Sequence, residues 1–335
     1  MRRENDLGRD PIGGLVLRIA LPSMLAQFVS VLYSIVDRMY IGHIPQVGGL
    51  ALAGVGVCGP VVTLVGSAAS LIGVGGAPLM SMRMGEGKVD QARRIVANCF
   101  VMLCVLSVAL VAMLLPIREP MLMLFGASEA TLPFAGAYFS VYLCGTPFAL
   151  LSAGMCQFII SQGFSAQAMF SVVLGAVMNI ALDPLFIYAF DMGVTGAAVA
   201  TVLSQMGSCA FVLAFLFGRR PPVRITFSGY DPRVMGRVLA IGFTPFAIIA
   251  ADNLMIIAMN AILRHYGGPA EGDMLLTCAT IAQSFMLVVT MPLGGISSST
   301  QTILSFNYGA RKTGRVEEAQ KRIFILCAAY TGLMT

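Results

Sequence analysis

The sequence predicts an all-α polytopic membrane protein, and three observations carry that prediction. Of its 335 residues, 57% are hydrophobic and 11% charged, with a mean hydropathy of +0.84. Soluble globular domains carry about 25% charged residues, so this chain cannot cover a water-facing surface. Its apolar residues gather into stretches longer than the roughly 20 residues that cross a bilayer. Most of its lysines and arginines fall in loops that lie on one side of those stretches. Together these exclude a soluble enzyme, a disordered tail and a disulfide-built secreted scaffold.

Nine spans are expected, at 13–42, 49–82, 91–115, 128–161, 165–189, 193–217, 232–264, 273–306 and 314–335. The first is not a signal peptide: MRRENDLGRD is too acidic, and the apolar run behind it is too long for a signal core. Barrel strands are excluded, because they need only about 9–11 residues and alternate. Pro22, Pro60, Pro78, Pro147, Pro184, Pro245 and Pro292 fall inside spans. Each removes a backbone donor, which a membrane helix tolerates where neighbours or water satisfy the freed carbonyl. That favours a bundle with a cavity over a simple anchor.

Orientation follows from the basic residues. Arg2, Arg3 and Arg9 precede span 1, and Arg83, Lys88, Arg93 and Arg94 follow span 2. Arg219, Arg220, Arg224, Arg233 and Arg237 follow span 6; Arg311, Lys312, Arg315, Lys321 and Arg322 follow span 8. The opposite side has only Arg118 and Arg264, while Arg18 and Arg38 lie within span 1. A plasma-membrane protein with a cytoplasmic N-terminus is expected. The basic loops are short and not interleaved with aromatics, so nucleic acid is not a partner.

An internal repeat organises the chain. VLRIALPSM opens span 1 and VLAIGFTPF opens span 7, 222 residues later. LIGVGGAPL in span 2 pairs with MPLGGISSS in span 8, and MGEGKVDQARRI with YGARKTGRVEEAQKRI. Six spans separate the copies, so both point the same way, as in a parallel repeat about the membrane normal. The expected domains are a cytoplasmic N-terminus at 1–12, an N-lobe at 13–217, a cytoplasmic linker at 218–231 and an incomplete C-lobe at 232–335. The second copy is short of about three helices, which leads to the expectation that a full chain is longer.

Three carboxylates lie within spans: Asp37, Asp183 and Asp252. A charge at the bilayer centre costs about 2.5–3.5 kcal/mol or more, so each needs a reason. Ser23, Gln27, Ser30, Ser34 and Asp37 recur at steps of four and three on one face of span 1. A polar face on an apolar helix points to a cavity or a polar helix contact. Gln27, Ser30 and Ser34, with neighbouring Tyr33, are the candidate substrate-cavity residues. Asn179 and Asp183 share a face of span 5, directly before Pro184. At 1.5 Å per residue, Asp37 and Asp183 lie roughly 7–10 Å below the outer ends of their helices. Thr201 lies at a similar depth on span 6. The four can therefore meet in the outer half, where two carboxylates resist being ionised together and four oxygen-bearing groups suit a small hard cation. Taken singly, Asp37 also reads as an interfacial residue and Asp183 as a helix-packing hydrogen bonder. Asp252, near Asn253 and Asn260, and Gln283 on span 8 are candidates for a second site.

Other signals carry less. Gly54, Gly56 and Gly59 spell a nucleotide-binding spacing, but no strand precedes them and close helix packing explains them better. The eight cysteines sit in apolar runs without a CxxC pair, and His43 and His265 lack ligand spacing, so no metal site or cofactor is expected. The 22 methionines read as core filler that could also line an adaptable pocket. No nucleophile–base arrangement and no phosphate-binding loop is present, so this is not an enzyme, and energy comes from an ion gradient or from none.

The segments SIVDRMYIGHI, GVGGAPLMSMRMGEGKVDQA, NIALDPLFIYAFDMGVTGAAVATVLSQ and SFNYGARKTGRVEEA resemble the multidrug and toxic compound extrusion (MATE) transporters, most of all their bacterial MepA-like branch. The resemblance implies twelve helices in two six-helix lobes, of which about nine are present here. It implies a monomeric antiporter that exchanges drug-like, often cationic, amphipathic compounds for H+ or Na+. The residues matching the family's N-lobe ion site are Asp37, Asn179, Asp183 and Thr201. Asp252 falls near a helix 7 acid that some members use. A lipid-linked precursor flippase of related architecture is the alternative, but it needs a cationic cavity, and only Arg18 and Arg38 lie within spans.

Overall fold

The structure is a computed structural model that describes residues 5–334, apart from side chains in part of one helix between 257 and 288. Among the described residues it is helical and strand-free. In order, α1 is Ile12–Gly42, α2 Gly48–Gly85, α3 Val89–Leu114, α4 Arg118–Leu124, α5 Leu132–Ile160, α6 Ser165–Pro184, α7 Gly193–Phe217, α8 Pro232–Gly309 and α9 Thr313–Met334. A π-turn, Leu185–Ala189, follows α6. The short α4 lies in what the sequence reads as a loop. Seven stretches of the described residues are long and apolar enough to cross a membrane, and α9 is not one of them. Arg315, Glu317, Glu318, Lys321 and Arg322 crowd its first half.

Spans 232–264 and 273–306 were expected to be separate, yet α8 is a single helical run of 78 residues. A straight rod of that length would extend about 117 Å. Both arms nevertheless pack on one part of α2: Gly242 meets Leu71, and Gly309 meets Met82. Those two α2 residues are only about 16 Å apart along their helix. The run therefore doubles back between its arms, and the two arms occupy the places of the two expected spans.

Inside a membrane, helices gain nothing from hiding apolar surface from lipid, so close backbone approach through small residues does the packing. A Cβ at Gly73 would lie 2.8 Å from the Gly154 carbonyl, and one at Gly76 would meet Phe158 at 2.8 Å. Gly54 approaches the α5 backbone closely, whereas Gly56 and Gly59 face open space. At the basic end, Gly85 and Gly309 set α2 against α8, each where a Cβ would overlap a carbonyl of the other helix.

A segment before α1 adds a strap across this basic end. Asn5 Nδ2 donates to the Gly163 carbonyl in the α5–α6 turn at 2.9 Å. Asn307 Nδ2 reaches the Leu7 carbonyl at 3.0 Å, Lys312 Nζ the Gly8 carbonyl at 2.8 Å, and Arg315 Nη2 the Asp10 carbonyl at 2.7 Å. Leu7 is buried with Leu15, Ile19, Ile303 and Ala319. Nearby, the Glu86 carboxylate is held below the ordinary carboxylate range by Lys88 at 2.9 Å and Arg83 at 2.7 Å. The 218–231 segment is likewise tied down, with buried Asn98 bonding the Gly229 carbonyl and the Asp231 amide.

Candidate functional site

Four of the predicted site residues converge. Asn179 and Asp183, one turn apart on α6, are 1% and 0% exposed. Asn179 Nδ2 donates to Asp183 Oδ1 at 3.3 Å and to Thr201 Oγ1 on α7 at 3.4 Å. Thr201 in turn donates to the Ala197 carbonyl at 3.0 Å. From α1, the half-buried Asp37 sets its carboxyl within hydrogen-bonding reach of Asp183. Among the described residues no ion pair joins Asp37 to Arg38, as expected of sequence neighbours on a helix.

The cluster has too many acceptors. Asp37 Oδ1, Asp183 Oδ2 and Asn179 Oδ1 are buried without a donor. An ionised carboxylate can only accept, and a buried acceptor without a donor costs about 1–3 kcal/mol. One proton shared by the two carboxyls would satisfy the two aspartate oxygens, and one hard cation among the oxygens would satisfy all three.

Local sequence explains the geometry. Pro184 has no amide hydrogen, so the α-register fails there, and the backbone continues with Phe190 N bonding the Leu185 carbonyl, five residues back, at 3.0 Å. The π-turn carries Tyr188, whose hydroxyl donates to the Tyr40 carbonyl at 2.7 Å and whose ring meets Tyr40 edge-on. Gly196 lets α7 close on this turn, since a Cβ there would lie 2.6 Å from the Phe186 carbonyl.

Toward the basic end the cluster adjoins a cavity of about 380 Å³ bounded by α1, α2, α5, α6, α7 and α8. Small-molecule sites commonly occupy about 300–1,000 Å³. Gln27, Ser30 and Tyr33 line it, as predicted, and Thr201 belongs to both the cavity wall and the acidic cluster. Ser34 does not line it: that residue is exposed and its hydroxyl bonds the Ser30 carbonyl at 3.0 Å. Asp252 is exposed on α8 away from the cavity. The side chains of Gln283, Asn260, Arg264 and His265 lie outside the described residues. No charged side chain is among the described lining residues. Sequence reasoning missed Tyr142, Gln157 and Gln205, together with Ser204 and Ser208. The signal was present: Thr201, Ser204, Gln205 and Ser208 make a stripe on α7 like that on α1.

The comparisons with known proteins agree with this architecture. The family model described as MatE matches residues 22–185 and 248–335. The multidrug export protein MepA of Staphylococcus aureus is 23% identical over 330 residues, covering 95% of this chain and 71% of its own length. An FAD transporter of Shewanella oneidensis is 27% identical, covering 95% and 70% respectively. A solved outward-facing multidrug resistance MATE family transporter of the MOP superfamily superposes with a TM-score of 0.88 at 24% identity, over 97% of this chain and 72% of that one. With helices fit to cross a membrane and a family model that covers most of its length, the chain belongs to the MatE family of membrane transporters.

Proposed function

We propose that this protein is a monomeric secondary antiporter of the plasma membrane that exports amphipathic, often cationic compounds in exchange for H+ or Na+. The names of its relatives point to small-molecule substrates. The observation that carries the coupling is the set of three donor-less buried oxygens on Asp37, Asp183 and Asn179. In this reading the N-terminus is cytoplasmic. Helices α1 to α7 form one lobe, α8 and α9 belong to a second, and 218–231 links them.

The two lobes rock about the shared cavity. With the cation absent, the ionised Asp37 and Asp183 repel and α1 stands off α6. When the cation enters from outside it draws the two carboxyls together, α1 repacks along its polar stripe near Pro22, and the substrate loses its seat. Thr201, and Tyr33 one turn below Asp37, transmit the change because both also face the cavity. The ion has leverage only because it binds one arrangement of the lobes better than the other. Asp252 and Gln283 are assigned to a second cation site. That no charged side chain is among the described lining residues favours this reading over a flippase for anionic lipid-linked precursors.

The test is Asp183→Asn, which removes one ionisable partner while keeping the shape. Cells carrying it should insert the protein normally and accumulate ethidium as if they lacked it. Undiminished export by this variant would end the coupling scheme.

A further inference from the structure

The described residues of the cavity wall have a chemical bias beyond their lack of charge. Seven hydroxyls on that wall, Ser298 to Gly295 at 3.4 Å among them, each donate their proton to a main-chain carbonyl. Ser23 bonds Ile19 at 3.2 Å, Ser30 bonds Ala26 at 3.1 Å, and Ser171 bonds Ala168 at 2.7 Å. Thr201 bonds Ala197 at 3.0 Å, Ser204 bonds Thr201 at 2.8 Å, and Ser208 bonds Ser171 at 2.9 Å. All seven line the same space. A hydroxyl whose hydrogen is engaged offers only lone pairs to whatever lies beyond it. The remaining polar groups on the wall, Tyr33, Tyr142, Ser152, Gln27, Gln157 and Gln205, both give and accept, so they do not offset the excess of acceptors.

We infer that this cavity selects solutes bearing N–H or O–H donors over solutes of equal charge and similar size that have none. The inference rests on the cavity being the substrate site. An amino-aryl cation satisfies several hydroxyl oxygens at once. A phosphonium or quaternary ammonium ion brings charge but no hydrogen to share, and leaves those oxygens stripped of water without a partner. Bonds to charged donors are the stronger kind, so the contrast should be largest among cations.

The experiment measures equilibrium binding of two monovalent lipophilic cations to the purified full chain in lipid nanodiscs. Ethidium carries amino groups, and tetraphenylphosphonium has no N–H or O–H. Ethidium should bind about tenfold more tightly or better. The double variant Ser30→Ala with Ser204→Ala breaks only bonds within single helices. It should weaken ethidium binding by about tenfold and change tetraphenylphosphonium binding by less than about twofold. Equal affinity for the two cations, or equal loss of both in the variant, overturns the inference and leaves export itself standing. A protein that binds neither removes both readings.

Discussion

Thr201 accepts from Asn179 and also lines the cavity, so one side chain touches both halves of the proposed coupling. Thr201→Val keeps the volume and removes the hydroxyl. We expect it to cost about 1–2 kcal/mol of local hydrogen bonding and to flatten the dependence of efflux on external pH or Na+. Thr201→Ser should restore that dependence, and efflux measured across a pH series checks both. Asn98 tests a purely structural role: Asn98→Ala strands the Gly229 carbonyl and the Asp231 amide, and should lower the melting temperature without changing substrate preference. The acidic cluster was legible in the sequence because a carboxylate in an apolar run is costly enough to announce itself. Ser204 was not, since a serine can satisfy itself on its own helix and so has no need of a cavity to explain it.

Helix α6 stops at Pro184, and the π-turn behind it carries Tyr188 to the Tyr40 carbonyl on α1. Pro184→Ala returns the missing donor and lets the α-register run on. Export should fall several-fold while thermal stability holds or rises, because a helix interior prefers alanine to proline by about 3 kcal/mol. Dye efflux beside a melting curve reads both effects. The ends of α1, α2, α3 and α7 agree with the hydropathy reading to within a few residues, because a bilayer sets their length. Two readings differ, each for a physical reason. The break expected between the arms of α8 does not interrupt its helical assignment, although the arms still reverse. Helix α9 devotes its first turns to charged residues and to the strap.

At the level of the molecule, the basic end is closed by backbone contact between α2 and α8 and by the strap. Gly242 packs where a Cβ would overlap the Leu71 carbonyl, and a rigid carbonyl cannot step aside. Gly242→Ala should therefore wedge the two helices apart, seen as a lower melting temperature and lost efflux. Arg315→Ala removes the bonds to Asp10 and Asn307 and loosens the strap. Cys156 lines the cavity at 9% exposure, a built-in reporter. We expect it to react several-fold faster with a polar maleimide in this variant, as located by peptide mass mapping. The strap is gripped chiefly through its Leu7, Gly8 and Asp10 carbonyls, with the Asn5 amide and the buried Leu7 side chain beside them. A deep mutational scan should accordingly find Arg9 and Asp10 tolerant of most replacements, but Leu7, Gly8, Asn307 and Arg315 intolerant. Over evolutionary time this stretch can change its spelling while keeping its place.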